Sequence, residues 1–158
     1  SALEQVYALA EADKNDNILL TRDYDPSIPE INGDENLFIQ AILNIVKNAQ
    51  QAIENTEDAS ITIKSRIKYG KPINGLIHQT VCCIEIKDNG PGIPDDIHDQ
   101  VFFPMVSVKE NGSGLGLTIA QDIIRIHGGG IVFSSNPGET IFSIQIPIKV
   151  EEKEAKIA

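Results

Sequence analysis

Residues Gly112-Ser113-Gly114-Leu115-Gly116-Leu117 set glycine at alternate positions and run straight into Thr118–Ile124, where apolar residues recur at helical spacing. Alternate glycines allow positive φ and let N–H groups approach a ligand with no Cβ between them. At a helix N-terminus, such N–H groups hold an anion, phosphate above all. The chain must therefore fold so that a glycine loop and a helix start face one concave site.

A second glycine stretch, Asp88-Asn89-Gly90-Pro91-Gly92-Ile93-Pro94, has different chemistry because it opens with a carboxylate, which repels phosphate. It follows the strand-like run Val81–Lys87, and alternation puts Asp88 on the same face as Cys82, Ile84 and Ile86. That face is the apolar one. A carboxylate aimed inward needs a donor, and the exocyclic amine of adenine is one. Asp-Asn-Gly is also ordinary turn chemistry, so a simple turn and an adenine acceptor both stand on these residues alone.

Upstream, the periodicity predicts a long helix from an N-cap at Asp34 to about Ile53. Phe38, Ala41, Ile42, Ile45, Val46, Ala49, Ala52 and Ile53 form its apolar face. Asn44 and Asn48, an i, i+4 pair, lie beside that face, with Gln40 and Gln51 extending the amide stripe. A solvated helix face is usually built from Lys and Glu, whereas Asn favours caps and turns. Two asparagines in mid-helix therefore point to ligand contact.

The remaining segments read as a helix over 3–12, a strand over 17–24, and strands over 59–69 and 79–87 joined by a long tip around Gly70–Gly75. A short helix is expected from Asp95 to Val101 and an irregular lid over 104–113. A helix from about Leu115 to Ile126 ends at His127-Gly128, and strands near 131–135 and 140–148 flank Asn136-Pro137-Gly138. The order predicts an α/β two-layer sandwich, with helices on one face of a mixed, largely antiparallel sheet. The expected organisation is a linker helix from an upstream domain at 1–16, one ligand-binding domain at 17–150 and a charged tail at 151–158.

At 158 residues with 41% apolar content, the chain has room for one well-formed core. Its net charge of −10 excludes a broad nucleic-acid or anionic-membrane surface, so any phosphate site is local, built from backbone dipoles and a metal. Cys82 and Cys83 are adjacent, lack metal-ligand spacing and fit a strand in a reducing, cytoplasmic compartment. No apolar run is long enough to cross a membrane, and no signal peptide is recognisable.

No Walker G-x-x-x-x-G-K-[ST] string occurs, no strand-preceded G-x-G-x-x-G, and neither H-R-D nor D-F-G. What remains is Asn44-x-x-x-Asn48-Ala49, Asp88–Ile93, Phe102-Phe103 and Gly112–Leu117, in that order. This series resembles the N, first-glycine, F and second-glycine boxes of the ATP-binding domain of sensor histidine kinases, the GHKL or Bergerat fold. The segments 22–26, 103–107 and 137–143 are similar to the nitrogen-regulation branch of that family.

The resemblance implies roles for individual residues. Asn48 would bind the Mg²⁺ that bridges the ATP phosphates, and Asn44 would support it. Asp88 would meet the adenine amine, with Gly90, Gly92 and Ile93 in close approach. Gly112, Ser113, Gly114, Leu115, Gly116 and Leu117 would hold the phosphates. Lys109 on the lid would reach the γ-phosphate, Thr140 would meet adenine through water, and Gln51 stands where many relatives carry a phosphate-contacting lysine. Asn44, Asn48 and Lys109 are then the expected catalytic set. His78, His98 and His127 do not resemble the family's phosphoacceptor box, and His127 is expected to cap its helix or pack locally.

The implied partners are a phosphoacceptor histidine domain, through which any dimer would form, and a response regulator. Three alternatives remain open: a GHKL ATPase, an anti-sigma-type serine kinase and a nucleotide-binding regulator without catalysis. The ATPase relatives use a glutamate one turn before the metal-binding asparagine, and Asn44 occupies that position here. An amide is no general base.

Overall fold

The computed structural model describes residues 1–102 and 115–148. Helix α1 (Ala2–Asp13) is followed by β1 (Leu19–Asp23), α2 (Glu35–Ala52), β2 (Ser60–Ile73) and β3 (Leu76–Asp88). A short 3-10 segment (Asp95–Gln100), α3 (Gly116–Ile126), β4 (Gly130–Asn136) and β5 (Glu139–Pro147) complete the described chain. The expected lid over 104–113 and tail over 151–158 lie outside the described residues.

The five strands run in the order β1-β2-β3-β5-β4, with β1 parallel to β2 and every other pair antiparallel. Placing β5 between β3 and β4 puts Thr140 directly opposite Asp88. Strict alternation turns Ile61 and Ile63 of β2, Ile84 and Ile86 of β3, and Phe142, Ile144 and Ile146 of β5 into one core. The apolar face of α2 covers it, with Ile42, Ile45, Val46 and Ala49 all buried, and α1 and α3 pack on α2. The expected two-layer architecture is therefore observed.

Asp34 caps α2 as its pattern predicts, its carboxylate accepting from the Leu37 N–H at 3.2 Å. Val6 and Ala10 of α1 are buried in the main core.

The β2–β3 connection differs from the long tip expected around Gly70–Gly75. Pairing continues through Ile73↔Leu76, and the turn is only Asn74-Gly75, with φ of 50° and 83°. Positive φ at both positions is the two-residue hairpin geometry that Asn-Gly favours. Gly70 and Pro72 read as strand breakers, yet both lie within β2, Pro72 opposite Ile77 and Gly70 between the paired Tyr69 and Lys71.

Candidate functional site

Asp88 ends β3 on the core face and is 2% exposed. Its Oδ1 accepts the Gly90 N–H at 2.9 Å, the only hydrogen bond its carboxylate accepts among the described residues. Burial raises its carboxyl above the ordinary value of 3.8, and the Gly90 bond offsets part of that. No fully sealed polar side-chain atom lacks a partner among the described residues, so the other oxygen keeps a path to solvent. It is a desolvated acceptor with capacity to spare.

The loop after Asp88 is held from both sides. Asn89 accepts from the Ser60 N–H at 2.9 Å and donates to the Asp58 carbonyl at 2.8 Å, which fixes the loop to the start of β2. On the other side Ser135 Oγ accepts the Ile93 N–H at 2.7 Å and lies 2.8 Å from Thr140 Oγ1. The Gly138 N–H donates to the Gly90 carbonyl at 2.9 Å. Gly92 has φ of 91°, and a Cβ there would come 3.0 Å from the Asn136 carbonyl oxygen and 3.1 Å from Ser135 Oγ. Glycine is required there for both reasons.

The amide stripe of α2 meets the start of α3. Asn44 Nδ2 donates to the Gly116 carbonyl at 3.3 Å. Asn48, one turn further on, is half-buried, and its side chain makes no hydrogen bond among the described residues, so its amide oxygen is open to a ligand. Gln51 is exposed; Leu115 is exposed, and Leu117 is half-buried against the core. Lys109, Gly112, Ser113 and Gly114 lie outside the described residues.

Phe102 packs edge-on against Phe133 and Phe142, and its carbonyl accepts from Thr118 Oγ1 at 2.9 Å, which ties the chain ahead of α3 to that helix. Phe103 falls outside the described residues.

A cleft of about 740 Å³ lies elsewhere, lined by Tyr24, Ile28, Phe38, Ile84 and Ile146. Some of its polar groups are already paired: the Asp25 N–H donates to Ser65 Oγ at 3.1 Å and Tyr24 OH to the Leu3 carbonyl at 3.1 Å. Size alone does not make it the functional site.

Residues 33–150 match the family described as "Histidine kinase-, DNA gyrase B-, and HSP90-like ATPase". The chain belongs to that family. Within this ATPase family it is 44% identical over 146 residues to a protein of Klebsiella oxytoca named "Sensory histidine kinase/phosphatase NtrB", and 46% identical to one of the same name from Vibrio alginolyticus. Both alignments cover 92% of this chain and 42% of the relative, so the chain spans less than half the length of these relatives. Among solved structures, the catalytic domain of histidine kinase ThkA is 28% identical with a TM-score of 0.75, covering 93% of this chain and 90% of that one.

Two site residues were not singled out from sequence. Asn89 and Ser135 hold the glycine loop, and only Ser135 had a signal: the Asn136-Pro137-Gly138 turn implies a hairpin whose register sets residue 135 against 140, as observed. His127 was expected to act locally, yet it also reaches the N-terminus of α2.

Proposed function

We propose that this chain is the catalytic ATP-binding domain of a two-component sensor histidine kinase of the nitrogen-regulation type. The observation that carries the reading is the meeting of Asn44 with Gly116, which brings the amide stripe of one helix to the glycine start of another. Buried Asp88, opposite Thr140, supplies the acceptor for adenine. Family membership and the similarity to proteins named NtrB support the same reading.

In this account Asp88 accepts the adenine amine, with Gly90, Gly92 and Ile93 close by, and Thr140 approaches the base through water. The N–H groups over 112–117 and the start of α3 hold the phosphates. Asn48 would ligate Mg²⁺ and Asn44 would support it, with Gln51 and Lys109 as further phosphate contacts. Among the described residues no cluster of three His, Cys, Asp or Glu could cage a metal. The amide oxygen of Asn48 is a hard oxygen donor of the kind Mg²⁺ takes, and substrate phosphates would supply further oxygens. The metal would supply charge neutralisation.

The protein's part in the chemistry is positioning, as expected of phosphoryl transfer. The γ-phosphoryl group would pass to a histidine on a separate dimerisation and phosphoacceptor domain, and from there to a response regulator. Residues 1–16 would connect to that domain, and the setting is cytoplasmic. No described helix is long and apolar enough to cross a membrane.

Incubation with γ-labelled ATP and Mg²⁺, with and without an acceptor domain, tests the reading. Acid-labile label on the acceptor, with little phosphate release by the chain alone, is the expected result. Rapid release without acceptor would instead identify an ATPase, acid-stable label a serine kinase, and tight binding without transfer a non-catalytic regulator.

A further inference from the structure

The C-terminus of α3 is joined to the N-terminus of α2 by a single imidazole. His127 Nδ1 lies 2.7 Å from the Ile123 carbonyl oxygen, and Nε2 lies 3.2 Å from the backbone nitrogen of Asp34. A carbonyl can only accept and an N–H can only donate. The ring must therefore carry its proton on Nδ1 and a lone pair on Nε2, the neutral imidazole in one tautomer.

Both bonds fill gaps left by the backbone. The last turn of α3 tightens, with the His127 N–H donating to Ile124 rather than Ile123, and the ring takes the carbonyl thus released. At the other end Asp34 is the N-cap of α2, whose own N–H is often satisfied by a Glu or Gln three residues later. That position here is Leu37, which has no acceptor. His127 supplies one from a different helix.

The contact has no slack. The imidazole lies against the Phe38 ring at 4.2 Å between centroids, and a Cβ on Gly33 would come 2.5 Å from Phe38 and 2.6 Å from His127. The α2–α3 pair is thus pinned at two places, Asp34–His127 at one end and Asn44–Gly116 at the other. The helices run antiparallel, so these two pins set the axial register of α3 on α2.

We infer that His127 is a positioning residue for the phosphate-binding end of the site, holding Gly116 against the Asn44–Asn48 face through a neutral imidazole. This rests on the nucleotide-binding reading above.

The test compares wild type, His127→Gln and His127→Phe. ATP binding is read by calorimetry and adenosine binding by NMR titration. Glutamine can offer the same acceptor to the Asp34 N–H, so His127→Gln should keep ATP affinity close to that of wild type. His127→Phe should weaken ATP roughly tenfold, the scale of the interhelix hydrogen bond lost at Asp34, and leave adenosine binding unchanged. Unaltered ATP binding in His127→Phe, equal losses for ATP and adenosine, or a loss in His127→Gln as large as in His127→Phe would each overturn the inference alone. Absence of ATP binding in wild type would overturn the nucleotide reading itself.

Discussion

Asn44 and Gly116 stand 72 residues apart in the chain, and the side-chain amide of one donates to the backbone carbonyl of the other at 3.3 Å. The bond lies where an asparagine-bearing helix crosses the start of a helix that follows a glycine loop, so it serves both the packing of α2 on α3 and the geometry of the site.

The two asparagines of α2 should therefore respond differently to truncation. Asn44→Ala is expected to cost about 0.5–1.5 kcal/mol of stability, the net worth of one hydrogen bond. Asn48→Ala, whose amide has no partner to lose among the described residues, should leave the urea midpoint nearly unchanged and remove most of the Mg²⁺-dependent part of ATP binding. A loss of stability in Asn48→Ala with Mg²⁺ dependence intact would reverse the assignment.

Asp88 should trade stability for binding. Burial lifts its carboxyl above 3.8, the Gly90 bond opposing. An acid whose pKa is higher folded than unfolded costs stability once pH exceeds the unfolded value, and the cost is complete above the folded one. Asp88→Asn should thus be more stable than wild type at neutral pH, with the gain fading as pH falls toward 3.8. It should weaken ATP by about 1–3 kcal/mol, as for a hydrogen bond to a charged group. Denaturant melts at about pH 4 and 7, with calorimetry at neutral pH, check both. Unchanged ATP affinity would remove the adenine role.

Gly92 and Gly138 share positive φ but differ in surroundings. A Cβ at Gly92 meets the Asn136 backbone and Ser135 Oγ at 3.0–3.1 Å, while nothing lies within 4 Å of one at Gly138. Alanine at either position carries backbone strain on the order of 1 kcal/mol. Only Gly92→Ala should also disturb the Ile93–Ser135 bond, so its melting temperature should fall further and its nucleotide affinity with it. Equal effects of the two substitutions would show that φ alone decides.

The thiols should be inert in the folded chain. Burial pushes Cys82 up to about 12 and raises Cys83 as well, so little thiolate forms at either near neutrality. A disulfide-exchange reagent is expected to label neither until denaturant is added. Rapid labelling in native buffer would mean that the sheet opens around them.

Local chemistry was readable from the chain. Apolar spacing located α2 and its Asp34 cap, and period-two alternation after Val81 put Asp88 on the inward face, because both depend on backbone geometry within a few residues. The glycine strings and mid-helix asparagines marked the candidate site for the same reason: the residue types are unfavourable where they stand unless something is gained nearby.

Contacts between distant segments were decided by tertiary packing. Gly70 and Pro72 looked like the tip of a loop until pairing with β3 carried the strand on to Asn74-Gly75. Asn89 holds the start of β2, Ser135 holds Ile93, and His127 holds Asp34, each across at least 29 residues. Propensity and periodicity extend over a few residues, whereas a side chain that crosses the fold is chosen by the one arrangement in which donor, acceptor and free volume coincide.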